Sequence, residues 1–256
     1  MSTFKIIIYL ILGFIAIQIM RQIINIIENK NFPKKCLNNN KVTKVNSSYT
    51  NIVLIGDDTI LGSKLFNCKN TLAKQLSDQT NTNVYQFGKS DLKIKDLYEF
   101  IKTKWLDINS IDVASVVICI GHNDITSFNY DIDSKYLVQV IKLLKTISNN
   151  IYLMAPRDIY NDRLYVFPFN YLIKKRTNEL SMVINNIADN NNLKVIDVKK
   201  DTIYQCKNGK YCRVGDDTSL DENGYQVIAK VIKDSIIDQT ENNTNKTSAG
   251  IVANNI

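Results

Sequence analysis

A chain of 256 residues with 45% hydrophobic and 22% charged side chains carries enough apolar material for one sizeable core, which excludes a disordered or fibrous protein. The net charge is +7, but the lysines are dispersed and no basic run alternates with aromatics, so no nucleic-acid partner is expected. One histidine and five cysteines provide no zinc spacing, and Gly56 and Gly62 do not complete a nucleotide-binding glycine loop, so no organic cofactor is expected.

The chain opens on an apolar run, Ile6 to Ile17, extended by Ile19 and Met20 and bracketed by Lys5 and Arg21. No small-x-small cleavage site follows it, and the amphipathic pattern continues to about residue 30, before Pro33. We read residues 1–30 as an uncleaved signal anchor that places the protein in a membrane as a single-pass protein; a buried core helix is the alternative. Arg21, Lys30, Lys34 and Lys35 after the run favour a cytoplasmic domain, whereas sequons at Asn46, Asn242 and Asn245 suit a lumenal one. The side of the membrane therefore stays open.

Residues 31–50 read as a polar linker. Apolar strands are predicted at 52–56, 83–87, 114–120, 151–155 and 194–198. Helical patterns fall at about 62–77, 93–105, 134–148, 170–190 and 221–238. Buried strands alternating with amphipathic helices predict a flavodoxin-like three-layer α/β/α sandwich on a five-stranded parallel sheet, spanning 51–239. The polar tail, 240–256, is expected to be disordered. Cys206 and Cys212 flank Lys-Asn-Gly-Lys-Tyr. A three-residue turn centred on Gly209 would set them opposite one another for a disulfide, whereas a two-residue Asn-Gly turn would shift them out of register.

Candidate site residues gather where strands end. Gly56-Asp-Asp-Thr-Ile-Leu-Gly62 resembles the opening Gly-Asp-Ser block of the SGNH (GDSL-type) hydrolases. Val116 to Asp124 resembles that family's strand ending in Gly-x-Asn-Asp, and Asp216 to Ala229 resembles its Asp-x-x-His block. Val84 to Leu92 stands where its second block belongs. The blocks follow in family order over about 50–235.

The resemblance implies an acyl-transfer site in which a serine attacks, a histidine oriented by an aspartate takes its proton, and a glycine and an asparagine hold the oxyanion. Here the serine position is Asp58 and the histidine position is Ser219, while Asn123 and Asp216 match. Gly88 and Asp91 fall in the substrate-binding block, with Asp91 at the oxyanion glycine. A charged Asp91 side chain in that pocket would repel the developing oxyanion. These departures imply a domain that has lost ester hydrolysis and serves in binding or assembly with a protein partner.

Two other readings are carried. The site is rebuilt as an esterase or acyltransferase, with His122 recruited as base and Ser63, Ser90 or Ser219 supplying a hydroxyl. In the other, Asp58, Asp91 and Asp216, joined by Asp57, Asp124 and Asp217, hold a divalent cation such as Mg²⁺ or Ca²⁺. The plainer view of the latter is that Asp57 and Asp216 bond to backbone. The aromatics and arginines of the Pro156 to Pro168 loop, Arg157 among them, suit a pocket lining, a partner surface or packing on the next helix.

Overall fold

The computed structural model describes residues 3–30, 42–43, 51–62, 65, 70–159, 165, 167–198 and 220–253. In chain order these form α1 (Thr3–Lys30), β1 (Val42–Thr43), β2 (Asn51–Gly56), α2 (Asp58–Leu61), α3 (Leu72–Thr80), β3 (Asn83–Gly88), α4 (Ile94–Asn109) and β4 (Val113–Cys119). There follow α5 (His122–Thr126), α6 (Ser134–Leu144), β5 (Ile151–Met154), α7 (Phe169–Asn191), β6 (Lys194–Ile196) and α8 (Glu222–Ala253). The sheet order is β1-β3-β2-β4-β5-β6, parallel throughout except for β1. The expected five-stranded parallel sheet is therefore present.

Strand β2 sits centrally because both its faces are apolar. Val53 and Ile55 point into one core with Val116, Ile118 and the inner faces of α4, α6 and α7. Ile52 and Leu54 point into the other, with Val117, Cys119, α3 and the first turns of α8. Side chains alternate along a strand, so an unbroken apolar run belongs to a sheet covered on both faces. None of the described α1 side chains joins either core. Its stretch Lys5–Ile24 is long and apolar enough to cross a membrane, and only 6% of it is buried.

Three elements depart from the sequence reading. The helix expected at 62–77 is replaced by the four-residue α2, capped by Gly62 in the left-handed region (φ 65°), and by α3, which starts at Leu72 behind the cap Thr71. A left-handed glycine ends a helix whatever the apolar spacing beyond it. Val42 and Thr43, read as linker, pair antiparallel with Tyr85 and Val84 at the sheet edge. Helix α8 continues to Ala253, past 238 and into the tail expected to be disordered. No glycine or proline interrupts that stretch before Gly250.

Two carboxylates hold helix starts. Asp124, 3% exposed, accepts the Ile94 N–H on both oxygens at 3.2 Å, so it closes the amino end of α4 from the turn after β4. Asp57 caps α2 by accepting the Thr59 N–H on Oδ1 at 2.9 Å. Burial pushes the Asp57 carboxyl up to about 7, opposed by the Thr59 amide and reinforced by the neighbouring Asp58 charge. Burial likewise raises Asp124 to about 6, against the Ile94 amide and Lys93.

Gly56 permits the close approach of β2 to β4: a Cβ there would lie 1.9 Å from the Cys119 carbonyl oxygen. Gly56→Ala is expected to destabilise the fold by about 2–4 kcal/mol, read as a lower denaturant midpoint. A midpoint unchanged from wild type would contradict the packing described. Asp57 binds its proton more tightly folded than unfolded, so its contribution is complete below about pH 4 and is lost as pH rises through about 7. Wild type should lose on the order of 4 kcal/mol from this group between pH 4 and 8, and Asp57→Asn should lack that loss in denaturant titrations across the range.

Candidate active site

Strands β2, β3 and β4 end side by side, with Gly56 in register with Gly88 and with Cys119. Each runs into a tight turn, and the three turns converge. After β2, the Asp57 N–H donates to the Cys119 carbonyl at 3.2 Å, and α2 begins with Asp58 as its first residue. After β3, the Lys89 N–H donates to the Gly56 carbonyl at 3.1 Å, and Asp91 adopts a left-handed backbone with φ 58°. Few residues besides glycine take that conformation, aspartate among them. After β4, Gly121 turns at φ 114°, where a Cβ would strike Leu180 of α7 at 2.3 Å. Asn123 is the second residue of α5.

The Asp58 carboxylate collects donors from the other two turns. Its Oδ1 accepts from Ser90 Oγ at 2.8 Å, and its Oδ2 from the Asp91 N–H at 2.9 Å. The same Oδ2 accepts a longer bond from Asn123 Nδ2 at 3.4 Å. Asn123 is oriented by donating from Nδ2 to the Leu92 carbonyl at 3.2 Å. Asp58 is half-buried, so these donors replace part of the water it gives up.

Asp91 corrects one expectation. Its backbone amide, not its carboxylate, faces Asp58, while its exposed side chain lies 3.5 Å from Ser90 Oγ. The left-handed turn separates the two. Gly88 ends β3 against α2, where a Cβ would meet the Leu61 side chain at 2.8 Å; this close packing accounts for a glycine there. His122 starts α5, and its carbonyl accepts from the Thr126 hydroxyl at 3.1 Å.

A pocket at the ends of β2, β4 and β5 is lined by Asp57, Thr59, Cys119, His122, Met154 and Arg157 among others, without Asp58. Two buried side-chain atoms among the described residues lack a hydrogen-bond partner, Asp57 Oδ2 and Arg157 Nε, and both residues line this pocket. Burial, with the Asp57 charge, pushes the Cys119 thiol well up, so it stays protonated there. Asp57 and Asp124 spend carboxylate oxygens on helix amides, and among the described residues no group of three His, Cys, Asp or Glu could hold a metal ion. Asp216, Asp217, Ser219, Ser63, Cys206 and Cys212 lie outside the described residues. Ser90 was one hydroxyl among several in the sequence, and only the meeting of the β2 and β3 turns sets it against Asp58. Arg157, expected either at a pocket or on a surface, lines the pocket.

Comparison with known proteins gives the same architecture. The model of the family described as GDSL-like lipase/acylhydrolase matches residues 29–232. Among solved structures, a lipolytic G-D-S-L family protein from Veillonella parvula is 18% identical, with TM-score 0.56, covering 73% of this chain and 97% of its own. The acetylxylan esterase Axe2 from Geobacillus stearothermophilus is 17% identical, with TM-score 0.57 and coverage of 74% and 94%. LAE5, an alpha/beta hydrolase from the metagenome of Lake Arreo, Spain, is 16% identical, with TM-score 0.56 and coverage of 73% and 94%. No curated protein sequence matches the chain significantly. At these identities the solved structures speak for the fold, while the family model spans most of the chain: this protein belongs to the GDSL-like lipase/acylhydrolase family.

Proposed function

We propose that this domain no longer hydrolyses esters by its family's route and that it works as a binding or assembly module tethered to a membrane by α1. The observation that supports this reading is the set of donors around Asp58. By family resemblance, the residue-91 amide and the Asn123 side chain hold the oxyanion of the reacting ester. Both donate instead to Asp58 Oδ2, at 2.9 and 3.4 Å. An incoming carbonyl would have to displace a carboxylate from the donors it needs. Losing one such donor costs an ester hydrolase about 3–4 kcal/mol of transition-state stabilisation, and here both are engaged. Ser219 at the base position has no proton affinity suited to general-base work near neutral pH. The tether rests on α1, whose apolar surface is left almost wholly exposed by the domain.

One geometry favours a second reading. Ser90 Oγ donates to Asp58 Oδ1 at 2.8 Å, the spacing of a nucleophile and its base. In that case Ser90 attacks, Asp58 takes the proton, and His122 is not required.

Hydrolysis of an aryl ester panel that includes acetyl esters, the substrate type named for Axe2, separates the two. The full chain in detergent would be assayed beside Asp58→Ala, Ser90→Ala and His122→Ala. All four are expected to stay at background. A wild-type rate above background that falls in Ser90→Ala and Asp58→Ala would establish the rebuilt dyad; one that falls in His122→Ala would make that histidine the base.

A further inference from the structure

We infer that the loop after α5 and the first turns of α7 form a surface that docks onto the lipid headgroup layer, an inference that rests on the membrane tether proposed above. Phe128 is 97% exposed, yet the loop carrying it is firmly held. Arg176 of α7 donates from Nη1 to the Ile125 and Ser127 carbonyls at 3.0 and 2.6 Å, and its guanidinium lies over the Tyr130 ring. The Tyr130 hydroxyl donates back to the Arg176 carbonyl at 3.0 Å, and Lys93 Nζ donates to Ser127 Oγ at 2.7 Å. Such ties on both sides of Phe128 hold its backbone in place, so its large apolar side chain stays displayed to solvent. Leu172 lies one helical turn before Arg176 on the same side of α7, and Tyr171 and Phe167 beside it are also exposed. Lys174 and Lys175 stand exposed among them.

Aromatic and aliphatic tips mixed with lysines match the headgroup boundary, where amphipathic rings settle and lysines meet anionic lipid. A patch of this size binds a bilayer weakly on its own. The tether changes that, because a second contact made by an already anchored domain is an intramolecular event. The twelve residues from Lys30 to Val42 reach at most about 40 Å, so the tether keeps the domain close to the bilayer. The exposed patch then selects the side. Since α5 carries both Asn123 and the turn into Phe128, docking would bring the mouth of the Asp58 site to the headgroups.

The test uses the full chain in vesicles of phosphatidylcholine and phosphatidylserine, with and without bromine on the acyl chains. Trp105, the sole tryptophan, stands near the far end of α4, some 17 Å along the helix from Ile94, and serves as the domain's baseline. Tyr9→Trp reports insertion of α1, and Phe128→Trp reports docking. The expected result is strong quenching of the added tryptophan in both variants and little quenching in wild type. Quenching at position 9 with none at 128 would overturn the docking surface and leave the tether standing. Quenching of Trp105 in wild type would also overturn it, since the opposite end of the domain would then face lipid. Absence of quenching at position 9 would remove the tether, and this inference with it.

Discussion

A carboxylate drawn partly out of water has to find donors, and the site is shaped by how Asp58 finds them. Ser90 Oγ, the Asp91 amide and Asn123 Nδ2 come from two strand ends, β3 and β4, while Asp58 rides on the third, β2. The carboxylate thereby ties the three turns together. The bonds from Ser90 and the Asp91 amide are short and charge-assisted, and a ligand competing for them must supply an equal acceptor. That competition, more than the missing serine alone, is what our functional reading rests on.

The arrangement depends on β2 lying tight against its neighbours. Gly56 lets β2 pass the Cys119 carbonyl, Gly88 admits Leu61, and Gly121 admits Leu180, so the three turns meet on a closely packed base. Beneath them Asp124 turns both carboxylate oxygens to a helix amide, and Asp57 turns one, its Oδ1. Acidic residues crowded in the sequence are thus divided between two tasks. Asp58 faces the site, and its neighbours hold helices at raised pKa, a cost in stability at neutral pH that the cores offset.

The strands were readable because burial on both faces leaves an unmistakable trace. The pattern expected at 52–56 is the observed Asn51–Gly56 to within a residue, and 114–120 matches Val113–Cys119 equally well. After β2, Leu61, Leu65, Leu72 and Leu76 keep the apolar spacing of one helix, yet Gly62 turns left-handed between them and ends it. Backbone handedness leaves no mark in hydrophobic periodicity. The same blindness applied at Asp91, where sequence suggested a charge in the pocket and the left-handed turn directs the amide there instead. The pairing of Ser90 with Asp58, 32 residues apart, exists only once β2 and β3 are in register.

Three donors form a carboxylate cradle that Asp58 fills. Titration calorimetry of acetate into wild type and into Asp58→Gly tests it most directly. The cradle predicts no binding to wild type, saturable binding to Asp58→Gly, and loss of that binding when Asn123→Ala is added. Equal heats in wild type and Asp58→Gly, or binding that survives Asn123→Ala unchanged, would contradict it.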